Sequence, residues 1–449
     1  MTNHLSRRTK FLYGIGDTGF SLSLTIVGVY FAIFLTDVVG LSPGIAAIAI
    51  FIGRSWDYIN DPLIGHISDR TRSRWGRRRP FLLFGALPFG LAFSLMWWRP
   101  PLQGDLALAV YYAFVYVLFD AAATFAYMPY FALTPELTPD YDERTTLTTY
   151  RMFFSILGSL VAFTVPLMII DRMAPQNAGR VLAMGLIFGF ASAVPLILTF
   201  LGTRERREFQ ELKQPTLRES LRAALRNRPF VFSAVIFLLT WVSVDILQST
   251  LLYFLKYVMG REAQSDLIMG AIFITAIFAL PFWERTSHRW NKRLAYIAGV
   301  AFWAAVQLVL ITLNAGSGLN LLLFLCMLAG IGVGAAHILP WAIIPDAVEW
   351  DEWQTGERHE GIFYSLVTLM QKVASSIAIP MVLLVLELTG YVPGSAEQPG
   401  SALLGIRIVV GPVPAALLCL GILFAILYPL SRERHTQISQ ELEAQRLSR

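Results

Sequence analysis

Gly53-Arg54-Ser55-Trp56-Asp57-Tyr58-Ile59-Asn60-Asp61-Pro62-Leu63-Ile64-Gly65-His66-Ile67-Ser68-Asp69-Arg70 sets carboxylates inside an otherwise apolar span and ends in a basic loop. On a helix, residues four apart share a face, so Asp57 and Asp61 stand together with Asn60 beside them. An oxygen-rich wall of this kind suits a small hard cation. Two carboxylates so close repel each other, and inside a bilayer each costs about 2.5 to 3.5 kcal/mol on insertion scales. The pair is tenable where it faces a wet cavity, binds a cation or holds a proton, and each of these implies function. Pro62 lacks an N–H, which either leaves the Tyr58 carbonyl as a spare acceptor beside the acids or simply kinks the helix.

The rest of the chain says what kind of span this is. With 449 residues, 55% of them hydrophobic and 15% charged, and a mean hydropathy of +0.56, the chain is too apolar for a soluble domain. Apolar runs of about 20 residues, each long enough to cross the hydrocarbon core, recur about twelve times. The expectation is an all-α membrane protein of twelve transmembrane helices, a number typical of transporters. The net charge of +5 sits mostly in short loops between spans, so it reads as topology and implies no nucleic-acid partner. Cys326 and Cys419 both fall in apolar spans and suggest neither redox nor metal chemistry. Nothing resembles a nucleophile elbow, a P-loop or a metalloprotease helix, so no enzyme activity and no cofactor beyond a coupling ion is expected.

Arg7, Arg8 and Lys10 precede an apolar run longer than a signal core and without an A-x-A site, which reads as a retained first span. The positive-inside rule places the cluster Arg70-Thr71-Arg72-Ser73-Arg74-Trp75-Gly76-Arg77-Arg78-Arg79 in the cytoplasm, and both termini with it. A similar cluster, Trp283 to Arg293, follows the eighth span and hints at a duplicated six-helix unit. The expected organisation is an N-terminal six-helix bundle (1–203), a cytoplasmic connection (204–228), a C-terminal six-helix bundle (229–431) and a cytoplasmic tail (432–449). Breaks are expected at Pro129, Pro340 and Pro345, and charged loops over Glu136 to Arg144 and Asp346 to Glu360.

Other polar residues at membrane depth divide between function and packing. Thr124 on the fourth span adds a hydroxyl to the acids if the second and fourth spans meet, and is otherwise a packing threonine. Lys372, near the middle of the eleventh span, either needs a partner, for which Asp57, Asp61 or Asp245 would serve, or snorkels toward the interface, which its mid-depth position disfavours. Arg151, Asp17 and Asp120 fit structural pairing as well as ligand contact. Tyr127, Phe131, Trp341 and Tyr364 are stacking candidates, and His337 is either a polar ligand contact or a satisfied core histidine.

These residues resemble those of the glycoside-pentoside-hexuronide:cation symporters, the melibiose permease-like family of the major facilitator superfamily. The likeness runs nearly end to end. It rests on Tyr13-Gly14-Ile15-Gly16, Thr36-Asp37-Val38-Val39-Gly40-Leu41, Trp56 to Gly65 with Thr71 to Gly76, Pro129-Tyr130-Phe131-Ala132-Leu133 with Tyr150-Arg151, and Pro345-Asp346-Ala347-Val348-Glu349 with Gly356 to Ser365 and Lys372. The resemblance implies the major facilitator fold of two six-helix bundles. It implies a cation site of Asp57, Asn60, Asp61 and Thr124, and a substrate site of Ser21, Tyr127, Phe131, Arg151, His337, Trp341, Tyr364, Thr368 and Lys372.

The sugar side departs from melibiose-type members. Ser21 and Tyr127 stand where those have acids, Phe131 stands for a tryptophan, and His337 stands at the position of the tenth-span tryptophan. With Arg151 and Lys372 kept, an anionic sugar such as a uronide is favoured over a galactoside. The expected function is symport of a sugar, glycoside or uronide with Na⁺, Li⁺ or H⁺. The alternatives are sodium-coupled transport of a lysolipid and a non-transporting receptor or scaffold. The expected setting is the inner cell membrane, with a small-molecule substrate and the lipid bilayer as partners and a monomeric chain.

Overall fold

In the absence of competing water, long apolar runs satisfy their backbone groups internally, and the described residues are helical with no strands. The structure, a computed structural model, describes residues 5–138, 141–205, 224, 226–355, 360–430 and 432–448. Most of the expected connection 204–228 and the side chains of Pro62 and Asp69 lie outside the described residues.

Two compact units divide the chain: Met1–Leu212 with Glu262–Asp266 and Ile379–Ala402, and Lys213–Arg261 with Leu267–Ala378 and Leu403–Arg449. The first holds α1 (Arg7–Gly14), α2 (Gly16–Ile33), α3 (Pro43–Ser55), α4 (Asp57–Arg70), α5 (Arg79–Met96), α6 (Asp105–Leu137), α7 (Tyr141–Ile170) and α8 (Ala178–Gly202). The second is built on α9 (Arg228–Tyr253), α10 (Ser265–Arg289), α11 (Lys292–Leu310), α12 (Leu319–Thr355), α13 (Glu360–Leu388), α14 (Gly400–Val410), α15 (Pro412–Ile426) and α16 (Arg432–Ser448). The last turns of α13 belong to the first unit.

Among the described residues, eleven helical stretches are long and apolar enough to cross a membrane. The twelfth span is α3 with α4, which follow one another through Trp56 and carry the acids. The expected proline breaks do not occur. α6 runs on through Pro129, and α12 contains both Pro340 and Pro345, so Asp346 to Thr355 is helix where a loop was expected. Membrane helices tolerate proline because neighbouring groups take up the freed carbonyls.

An internal repeat is clearest at the ends of the first and seventh spans. Phe34-Leu35-Thr36-Asp37-Val38-Val39-Gly40 and Phe254-Leu255-Lys256-Tyr257-Val258-Met259-Gly260 share Phe-Leu, Val and Gly at the same spacing. Each widens into a π-turn, Phe34–Val39 and Phe254–Val258, and each ends on a left-handed glycine, Gly40 at φ 92° and Gly260 at φ 62°. The amides of Leu41 and Arg261 return to the carbonyls of Leu35 and Leu255 at 3.0 and 2.8 Å, which closes both ends alike. Only glycine reaches that conformation without strain.

Small residues set the packing in the first unit. A Cβ on Gly19 would lie 2.3 Å from the Ser192 carbonyl oxygen, so α2 and α8 touch through their backbones. The basic loop after α4 is tied down by acids rather than left as a patch. Glu205 accepts the amides of Arg78 and Arg79 at 2.8 and 2.7 Å at the start of α5, and Glu136 lies 3.1 Å from Arg78 Nε. The counterpart loop in the second unit pairs Lys292 with Asp346.

Candidate functional site

Trp56 joins α3 to α4 immediately before Asp57 with helical dihedrals, φ −62° and ψ −31°, so the helix runs on through one tighter turn and the acids stand on the first turns of α4. The four-residue spacing turns Asp57 and Asp61 to one side, and α6 packs against α4 there. Thr124 Oγ1 of α6 lies 3.2 Å from Asp57 Oδ1 and 3.1 Å from Asp61 Oδ1. One hydroxyl has one proton to donate, so it bonds one carboxylate while its lone pairs stay available. Asn60 is buried, and its Nδ2 has no hydrogen-bond partner among the described residues.

Two carboxylates and a hydroxyl at such distances form an oxygen-donor set suited to a small hard cation, whose charge would offset their repulsion. Among the described residues, no group of three or more His, Cys, Asp or Glu converges as a transition-metal cage would require. At the end of α3, Arg54 Nε donates to Tyr116 of α6 at 2.7 Å, and buried Tyr116 packs where a Cβ on Gly53 would clash.

Tyr127, Phe131 and Arg151 come together in the same unit. The rings of Tyr127 and Phe131 meet edge to face at 3.9 Å, and the Arg151 guanidinium lies over Phe131 at 4.3 Å. Asp17 of α2, which the sequence leaves open between pairing and ligand contact, is buried with its Oδ2 3.5 Å from Arg151 Nε. Ser21 is close by, but its hydroxyl donates to the Asp17 backbone carbonyl at 2.9 Å and is thereby occupied.

In the second unit, Trp341 and Tyr364 lie nearly parallel at 6.4 Å, and Trp341 meets Phe237 at 4.8 Å. His337 is 5.2 Å from Trp241, and its Nδ1 is 2.9 Å from the Val333 carbonyl. A carbonyl partner requires Nδ1–H as donor, which leaves Nε2 of the neutral ring as an acceptor. Thr368 donates to the Tyr364 carbonyl at 3.0 Å and so is also occupied within its own helix. Lys372 is half-buried on α13, one turn before Ser375, whose hydroxyl donates to Asp245 of α9. Trp241 and Phe237 carry no polar signal that would single them out in sequence. Their spacing on α9 places them beside His337 and Trp341.

Membrane-length helices in both units define a multi-pass membrane protein. The chain matches the MFS/sugar transport protein family over residues 12–432 and belongs to it. An uncharacterised symporter of Synechocystis is 33% identical, with 97% of this chain and 96% of the relative covered. A sodium-dependent lysophosphatidylcholine symporter of Danio rerio is 29% identical over 97% of this chain and 88% of its own. The crystal structure of a D-xylose-proton symporter superposes with a TM-score of 0.68 at 14% identity, covering 94% of this chain and 97% of that one, and shares the fold. The protein is a transporter of the major facilitator superfamily and not an enzyme.

Proposed function

We propose that the protein is a sodium-coupled symporter of the glycoside-pentoside-hexuronide type that carries an anionic sugar such as a uronide. The observation that carries this reading is the convergence of Asp57 and Asp61 on the hydroxyl of Thr124. Na⁺ would take those oxygens with the Asn60 amide oxygen, and Li⁺ or H⁺ would occupy the same group. Neutralising the acids lowers the charge near Tyr127 and Arg151 and favours substrate binding there, a coupling that is reciprocal.

On the substrate side, Arg151 of the first unit offers a guanidinium fork to a carboxylate and Tyr127 and Phe131 offer rings to a sugar, and in the second unit Trp341 and Tyr364 are the ring candidates. His337 and Lys372 complete the set, and Ser21 and Thr368 would join once released from their helix carbonyls. The protein works as a monomer in the inner cell membrane with both termini in the cytoplasm.

A second reading rests on the relatives named as sodium-dependent lysophosphatidylcholine symporters, and on it the same cation site drives an amphiphile. Uptake into proteoliposomes of a glycoside, a uronide and a lysophosphatidylcholine, each under an inward Na⁺ gradient, separates the two. Sodium-driven uptake of the uronide supports the first reading. Uptake of the lysolipid alone replaces it with the second.

A further inference from the structure

Arg151 and Asp17 make a buried pair that the cation site does not use. Asp17 retains 7% of its side-chain exposure and Arg151 14%. The separation of 3.5 Å is loose for an ion pair, and Arg151 Nε has no aligned acceptor among the described residues. The guanidinium is therefore placed, with one face on Phe131, but its donors are not saturated.

The groups around Asp17 are few. From α7 it faces Arg151, and from α1 and α6 the phenols of Tyr13, Tyr127 and Tyr130 share the field of the pair. Against α8 the neighbour is the backbone at Ser192, through Gly19. Among the described residues, Arg151 is the one cation set against the Asp17 carboxylate.

A neutral substrate can bind and leave this pair intact. An anionic substrate group that takes the Arg151 donors adds a negative charge beside Asp17 and draws the guanidinium away from it. A carboxylate left buried without its counter-ion is strongly disfavoured, and the remedy open to it is a proton. We propose that Asp17 is a proton-binding site whose occupancy follows the charge of the substrate. An anionic group binds Arg151, Asp17 takes a proton from water on the side of entry, and both are released when the anion leaves. Proton movement thus accompanies anionic cargo and is absent with neutral cargo. This rests on the reading that Arg151 contacts the substrate.

The test uses the full-length protein in detergent. Arg151→Gln and Arg151→Met mimic withdrawal of the guanidinium, and either one that folds serves. The infrared carbonyl stretch of a protonated carboxylic acid should appear near pH 7 in that variant and vanish when Asp17→Asn is added. Identical spectra for the single and double variants would overturn the proton site.

In a second arm, methyl β-D-glucuronide and methyl β-D-glucoside are added to wild type in weak buffer with a pH dye, and binding is followed by tryptophan fluorescence. Proton uptake with the glucuronide, none with the glucoside and none in Asp17→Asn is expected. Glucuronide binding without proton uptake overturns the proposal. Failure of both sugars to bind removes the uronide reading instead, and the infrared arm, which needs no substrate, then decides the role of Asp17.

Discussion

Asp57 and Asp61, four residues apart on one helix, reach the same hydroxyl on another, Thr124 at 3.2 and 3.1 Å. That hydroxyl is one neutral oxygen among the donors expected to hold the cation, so its loss should weaken cation binding without abolishing it. Thr124→Ala is expected to raise the Na⁺ dissociation constant about tenfold, the equivalent of roughly 1.4 kcal/mol for one lost oxygen contact. Sodium-induced thermal stabilisation of the purified protein, titrated for both forms, measures it.

Glu205 holds the first amides of α5, and Arg78 and Glu136 are bonded beneath it. Glu205→Ala leaves those amides to water and should lower stability by about 1 to 3 kcal/mol, with cation affinity unchanged. Thermal unfolding in detergent, with and without Na⁺, separates the two effects.

Glu143 is held by Lys10 at 3.0 Å, by the Leu5 amide at 2.8 Å and by Thr138 at 3.0 Å. Burial pushes its carboxyl up, but the Lys10 bond, the Leu5 amide and Thr138 outweigh this and pull it from the ordinary 4.5 down to about 2. A depressed carboxyl stabilises the folded state above its unfolded value and loses that contribution as pH falls through the folded one. The melting temperature of Glu143→Gln should therefore trail wild type at pH 6 and converge with it between pH 4.5 and 2.

His435 of α16 works in the opposite sense. The Glu349 carboxylate 3.0 Å away pulls it above the ordinary 6.5, burial opposes this, and Asp346 adds to the rise while Lys292 subtracts from it. A raised imidazole stabilises below its unfolded value and loses the effect as pH rises through the folded one. His435→Gln should fall short of wild type in melting temperature at pH 6, and the gap should close as pH rises through the raised folded value. Docking of α16 on α12, which Trp353 supports through a 2.6 Å bond to Glu441, should loosen over the same range.

The legible parts of this protein are those that periodicity controls. Hydropathy marks the spans, and the i, i+4 spacing puts Asp57 and Asp61 on one face, whereas Thr124 joins them only if the second and fourth spans meet, which spacing leaves open and the family resemblance implies. Rotamer choices were not legible: Ser21 and Thr368 donate to carbonyls of their own helices, an option open to any helical hydroxyl. Proline misled, because Pro340 and Pro345 read as stops in water and are carried inside α12. Asp17 was undecided because its partner lies 134 positions away, on α7. The π-turn repeat, by contrast, is visible in Phe-Leu, Val and Gly at matched spacing.

The central claim is that Asp57 and Asp61 bind the coupling ion, and calorimetric titration of NaCl into the purified full-length protein tests it without a known substrate. Wild type should bind Na⁺ saturably and Asp61→Asn, folded and inserted, should not. Saturable Na⁺ binding of equal affinity in Asp61→Asn would contradict the account.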